Sequence, residues 1–370
     1  MTKLESFDNY LSDDGPAALV LKQPLMPVDG EDGILFPATY AEGKGFAGGY
    51  NIDEVRGQKV ALIDSVGSQA NRIEPMFIQE KYRHLVPQIV ITAGDKQVNL
   101  LEAGHRAGDA IIRSSSLHDE IQAAFNSVLK GDAMPLAKIA PTSLVFGVWD
   151  SRDTQAKLPR VIASSIRAYN VHKLTRSAVY TPPINYASID VFTEEDKQKA
   201  EGDEKNPLSK WGYVNALASG SHGGVIAEGG VLRTATLGLA AVRLIHGGMN
   251  ETETLKLRRY ILGLSLVAFT YHSSSYLRQG CMLVVNPNKP SEFSEMPFTG
   301  VPQPCSITHE IALHYATVAA EAFVVGKSKA VPFDKEKAKK EVKGEVGGKA
   351  KGKKGKKTAE ASAEEGTDDV

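Results

Sequence analysis

The stretch Ser65-Val66-Gly67-Ser68-Gln69-Ala70-Asn71-Arg72-Ile73-Glu74-Pro75 gathers hydroxyl, amide and guanidinium donors in a short span. Val60, Ile63, Val66, Ala70 and Ile73 recur at helical spacing, which predicts one helix over 60–73 with those residues on its core face. Ser68, Gln69, Asn71 and Arg72 then stand largely off that face. Short donors around a guanidinium suit phosphate and ribose oxygens better than proton transfer. The competing reading is a solvated polar helix face ended by Pro75.

A second group lies in mid-chain. Residues 154–189 hold no Asp or Glu but include Lys157, Arg160, Arg167, Lys173 and Arg176, with Tyr169, His172 and Tyr180 among them. If 167–173 is extended, Arg167, Tyr169 and Lys173 share one face. Cations beside rings on a sheet can hold single-stranded RNA, phosphates on the charges and bases on the rings. A solvated basic strand is the other reading. The third group is the glycine-rich run SGSHGG at 219–224, where Ser221, His222 and Gly223 leave backbone N–H groups unshielded and Arg233 follows shortly after. It reads as an anion cradle or as a plain connecting loop. It matches neither the P-loop nor the dinucleotide fingerprint.

Other chemistries find less support. His309-Glu310-Ile311-Ala312-Leu313-His314 is not a zinc motif. Its histidines are five residues apart, so their rings stand roughly 140° apart around a helix axis. No Gly-x-Ser-x-Gly elbow occurs, and neither Cys281 nor Cys305 has the setting of a nucleophile. We expect no catalytic residue, no metal site and no cofactor. Asp150 and Asp153 are the carboxylates to test if the chain is a nuclease after all.

Elements must position these groups. The pattern predicts strands at 17–23, 88–92, 143–149 and 282–285. It predicts helices at 100–113, 118–129, 232–245, 254–271 and 307–325. Residues 161–180 fit a long strand, a hairpin or a partly helical segment. Residues 192–206 read as a charged surface excursion, and 215–230 and 287–304 as loops. Strands and helices intersperse without a βαβ repeat or a fixed internal period, which favours an α+β domain with long insertions. One domain is expected over 1–328. Residues 329–370 are expected to be a disordered tail, Lys-rich and then acidic.

Bulk properties narrow the classes. The chain has 370 residues, 42% hydrophobic and 24% charged, enough for a large core. No apolar run approaches a membrane span, and the acidic start lacks the layout of a signal peptide. Two cysteines give no disulfide framework, so a cytoplasmic location is expected. The net charge of −1 is uneven: 335–357 hold 11 Lys against 3 Glu, whereas 1–328 hold 31 basic and 35 acidic residues. A polyanion site on the body must therefore be a local stripe.

Five segments together resemble a known family. They are SVGSQANRIEP at 65–75, PTSLVFGVWDSR at 141–152, Pro159-Arg160, IRAYNVHKLTRSAVYTPPINY at 166–186, and LRTATLGLAAVRLI at 232–245. In order and wording they are similar to the CRISPR-associated backbone subunit of type I-G (formerly I-U) effectors, in the RAMP superfamily. The similarity spans most of 15–325. It implies an RNA-recognition-motif (ferredoxin-like) core with insertions called fingers and thumb. It also implies many copies in a Cascade filament on one CRISPR RNA, presenting the guide to target DNA. A large subunit and a guide-processing subunit are the other implied partners, with no membrane. The RNA-contacting residues are our own choice within those segments: Ser68, Gln69, Asn71, Arg72, Arg160, Arg167, Tyr169, Lys173, Arg176, Ser221, His222, Gly223 and Arg233. A guide of any sequence must be gripped by backbone and shape, with letters read by pairing. The competing readings are a RAMP-type endoribonuclease acting on target RNA and a general single-strand binder outside CRISPR.

Overall fold

A computed structural model describes residues 3–203, 205–272 and 274–351. Seven strands run in the order Tyr276–Arg278, Cys281–Val285, Ala18–Pro27, Val231–Gly238, Ile162–Tyr169, Gln58–Asp64 and Ile52–Val55, with antiparallel neighbours. Glu292–Met296 joins the first half of Ala18–Pro27 and is edged by Gln303–Pro304. The fold is α+β.

Burial along Val231–Gly238 alternates strictly, with Val231, Arg233, Ala235 and Leu237 inward. Register carries that face across its neighbours. Gln23 and Ile166 both pair with Arg233, and Ile166 also pairs with Asp64. A row of Gln23, Arg233, Ile166 and Asp64 therefore crosses four strands on the covered face.

Two apolar clusters flank that row. The larger contains the helices Glu251–Thr270 and His309–Phe323, and the smaller contains Leu35, Ile63, Ile166, Val225 and Leu283. The two helices pack closely because small residues meet. A Cβ on Gly263 would lie 2.9 Å from the Ala316 Cα. Burying this much aliphatic surface at about 25 cal/mol per Å² is the main stabilising term.

Several predicted elements are corrected. The helix expected over 60–73 is the strand Gln58–Asp64 followed by the helix Val66–Ile73, with Ser65 as the cap accepting from Ser68 N–H at 3.2 Å. The helix expected over 232–245 is likewise a strand and then the short helix Leu239–Arg243. The strand expected at 143–149 is the helix Thr142–Phe146 and a two-residue strand, Val148–Trp149. Residues 100–113 break into three single turns. The loop expected at 287–304 carries the strands Glu292–Met296 and Gln303–Pro304.

The SGSHGG run is part of a strand, Ala216–Ala227, paired with Val171–Tyr180 in a two-stranded ribbon. That ribbon prolongs Ile162–Tyr169 and Val231–Gly238 beyond the sheet. Its tip carries 181–215 with three short helical turns. The folded chain also passes residue 328: Lys329–Pro332 pairs in parallel with Ile89–Ala93, and the helix Lys335–Lys351 follows. The rest of the tail expectation, 352–370, lies outside the described residues. No helix among the described residues is long and apolar enough to cross a membrane.

Candidate nucleic-acid interface

Asp64 ends a buried strand, and its carboxylate is fully enclosed. Four donors converge on it. Ser68 Oγ donates at 2.9 Å, Gln69 Nε2 at 2.6 Å, Arg72 Nε at 3.0 Å and Arg278 Nη2 at 2.9 Å. Helix phase explains three of them: Ser68, Gln69 and Arg72 leave the first two turns of Val66–Ile73 on the side that overlooks the strand end. The cluster holds one carboxylate against two guanidiniums. Both side chains are partly exposed while their Asp64 contact is buried, which fixes their direction, and Arg278 Nη1 is enclosed without a partner.

A second pair closes the far end of the same helix. Glu74 is buried and lies 2.6 Å from Arg106 Nε. Arg106 also donates to the Gly147 carbonyl at 3.2 Å and to Asn71 Oδ1 at 3.3 Å. Burial pushes Glu74 up to about 7, although the Arg106 guanidinium pulls it the other way. Burial lowers Arg106, and Arg160 nearby lowers it further. Arg160 is half-buried, its Nε is enclosed without a partner, and it lies next to Gly67 in the first helical turn. Gly147 makes room for it: at φ 79° a Cβ would meet the Arg160 stem and the Leu158 carbonyl at 3.0 Å.

Four guanidiniums thus surround one helix against two carboxylates. The excess positive charge is fixed in place by the groups beneath it. The chemistry of such an arrangement suits oxyanions.

The structure distributes the predicted residues unevenly. Ser68, Asn71, Arg72 and Arg160 meet around the helix. Gln69 does not face outward; it is fully buried, bridging Asp64 and Ser164, whose Oγ donates to Gln69 Oε1 at 3.1 Å. Arg167 is exposed on the opposite sheet face and donates to Ser165 Oγ at 2.7 Å. Asn170 adopts a left-handed backbone (φ 47°), which breaks the extended run that would align Arg167 and half-buried Tyr169 with Lys173. Lys173 and Arg176 are exposed on the ribbon.

The expected cradle at 221–223 becomes structural. The His222 ring lies over Tyr50 at 4.5 Å, and a Cβ on Gly223 would meet the Thr175 backbone at 2.7 Å. The side chain of Ser221 lies outside the described residues. Arg233 is the third residue of the next strand, Val231–Gly238, and is buried under the sheet rather than set beside that run.

Asp64, Glu74, Arg106 and Arg278 were not singled out by the sequence. For Asp64 a signal existed: an apolar strand run ending in Asp and then a Ser cap. For Arg278 none did, because it reaches Asp64 from 214 residues away.

Asp150 closes a turn. Burial would raise it, but Thr154 Oγ at 2.7 Å, Thr154 N–H at 2.9 Å and Gln122 hold it below its ordinary value. Asp153 lies 3.8 Å from His118. His309 bonds Tyr82 and Thr270 through its two ring nitrogens.

This is an α+β protein with a cation-rich seam around one short helix. Residues 19–173 match the model of the family described as CRISPR-associated protein GSU0053, which supports a CRISPR-associated protein with a role in CRISPR defence. The matched segment takes in Asp64, the Val66–Ile73 helix, Arg106 and Arg160. No curated protein matches the chain.

Proposed function

We propose that this chain is the CRISPR RNA-binding backbone subunit of a type I Cascade-like surveillance complex, of subtype I-G, and that it does not cut nucleic acid. Its sheet would then be the RNA-recognition-motif core. The ribbon and its tip would be one of the projections, and the other CRISPR subunits its neighbours. Copies would assemble head to tail along the guide and present it to target DNA.

The observation that supports this reading best is the seam. Arg72 and Arg278 are held by the buried Asp64 and Arg160 by close packing, and all three side chains are partly exposed around one helix, as gripping sugar–phosphate of any sequence requires. A solvated face of mobile lysines would attract a polyanion without positioning it.

The test uses the full chain and its CRISPR RNA. Arg160→Gln, and separately Arg72→Ala, should weaken RNA-bound assembly and make the salt slope of binding shallower, by about one for each lost phosphate contact. Arg160→Lys should keep the slope and lose part of the affinity. Unchanged filaments and an unchanged slope in both variants would overturn the assignment.

A further inference from the structure

Arg233 is an anomaly of a different kind. It is 6% exposed, yet among the described residues no carboxylate partners it. Its Nε donates to Ser164 Oγ at 3.1 Å and its Nη1 reaches Gln23 Oε1 at 3.5 Å, while Nη2 is enclosed and unpartnered. Burial alone acts on its charge and brings it down to about 10, so it remains a cation at neutral pH. A buried cation facing only neutral dipoles is costly, and such a group calls for a physical reason.

Arg233 and Gln23 border a cavity of about 360 Å³ whose walls include Phe269, Tyr271 and Phe293. Thr308 and His309 stand at its rim, where the 15-residue helix His309–Phe323 begins. A helix start is weakly positive and favours an anion. His309 is not itself free to bind, because both ring nitrogens are engaged. Glu310, also on the lining, is exposed, so its negative charge is screened by solvent. The volume exceeds that of a simple oxyanion, and aromatic walls with one buried cation suit an amphipathic ligand.

We propose that this cavity binds a nucleoside phosphate, with the phosphate paired to Arg233 and the base against the Phe269, Tyr271 and Phe293 rings. The phosphate could come from a free nucleotide or from the phosphorylated end of a strand. The inference does not rest on the scaffold reading: none of the groups on the Val66–Ile73 helix lines the cavity.

The test is calorimetric titration of the nucleic-acid-free full chain. The probes are AMP, adenosine, inorganic phosphate, and a short oligonucleotide with and without a 5′-phosphate. AMP should bind once per chain, at least about tenfold tighter than adenosine or phosphate alone. Arg233→Met should lose at least about tenfold in affinity while the free protein melts no lower than the parent, because an uncompensated buried charge has gone. Should that variant not fold, Tyr271→Ala carries the same expectation for affinity. Arg160→Gln should bind AMP normally, which separates this result from the scaffold test. Binding of the 5′-phosphorylated oligonucleotide without AMP would support the site and assign it to strand ends. Binding of neither would overturn the proposal, as would Arg233→Met binding like the parent.

Discussion

The helix Val66–Ile73 and the ribbon of Val171–Tyr180 with Ala216–Ala227 both present basic side chains, but they hold charge in opposite ways. Around the helix, Arg72 and Arg278 are pinned to one enclosed carboxylate, and Arg106 to another. On the ribbon, Lys173 is exposed, and nearby His172 pairs at 3.0 Å with Glu228, itself exposed. Buried acceptors trade net charge for direction, whereas an exposed strand keeps reach and loses direction. The helix is the part suited to registering a backbone; the ribbon is the part suited to extending contact beyond the sheet.

The largest effect should come from removing the anchor. Asp64→Ala leaves two guanidiniums and the Gln69 amide without their acceptor and should cost about 3–5 kcal/mol in denaturant unfolding. A loss below about 1 kcal/mol would mean that the arginines are not held as described. Next comes pH. Glu74 is raised in the folded protein, so the native state binds more protons than the unfolded chain between its ordinary value and about 7. Its contribution to stability is therefore present at low pH and lost as pH rises through that window. Glu74→Gln should gain on the parent in melting temperature from pH 5 to pH 8, and a constant difference would refute the shift.

Loss of the helix cap is smaller. Ser65→Ala should cost about 1 kcal/mol and weaken RNA binding in proportion, since the same turn carries Gly67 and Ser68. The smallest effect belongs to the ribbon. Lys173→Ala should leave the melting temperature unchanged and alter only the salt dependence of binding. If it matched Asp64→Ala in thermal shift, the contrast between the two regions would fail.

The same contrast explains what was readable in the chain. The helices at 254–271 and 307–325 were legible because their apolar residues are dense, while their true starts behind the caps Asn250 and Thr308 were not. The segments 60–73 and 232–245 misled because each joins a strand directly to a helix, with only Ser65 between the two elements in the first and Gly238 at the junction in the second. Val60, Ile63 and Val66 fit a helical period although the first two belong to a strand. In the ribbon, Gly223 reads as a loop residue, but a close approach to Thr175 requires it.

Residue order by itself determined which donors exist near Ser65–Pro75, the two long core helices and the unequal charge of body and tail. Those follow from composition and local periodicity. Only the tertiary structure decided which donors face inward and what they touch. Gln69 met Ser164, Asp64 met Arg278 and Glu74 met Arg106 because strand register and helix packing bring distant positions within hydrogen-bond reach, and no local pattern encodes that distance.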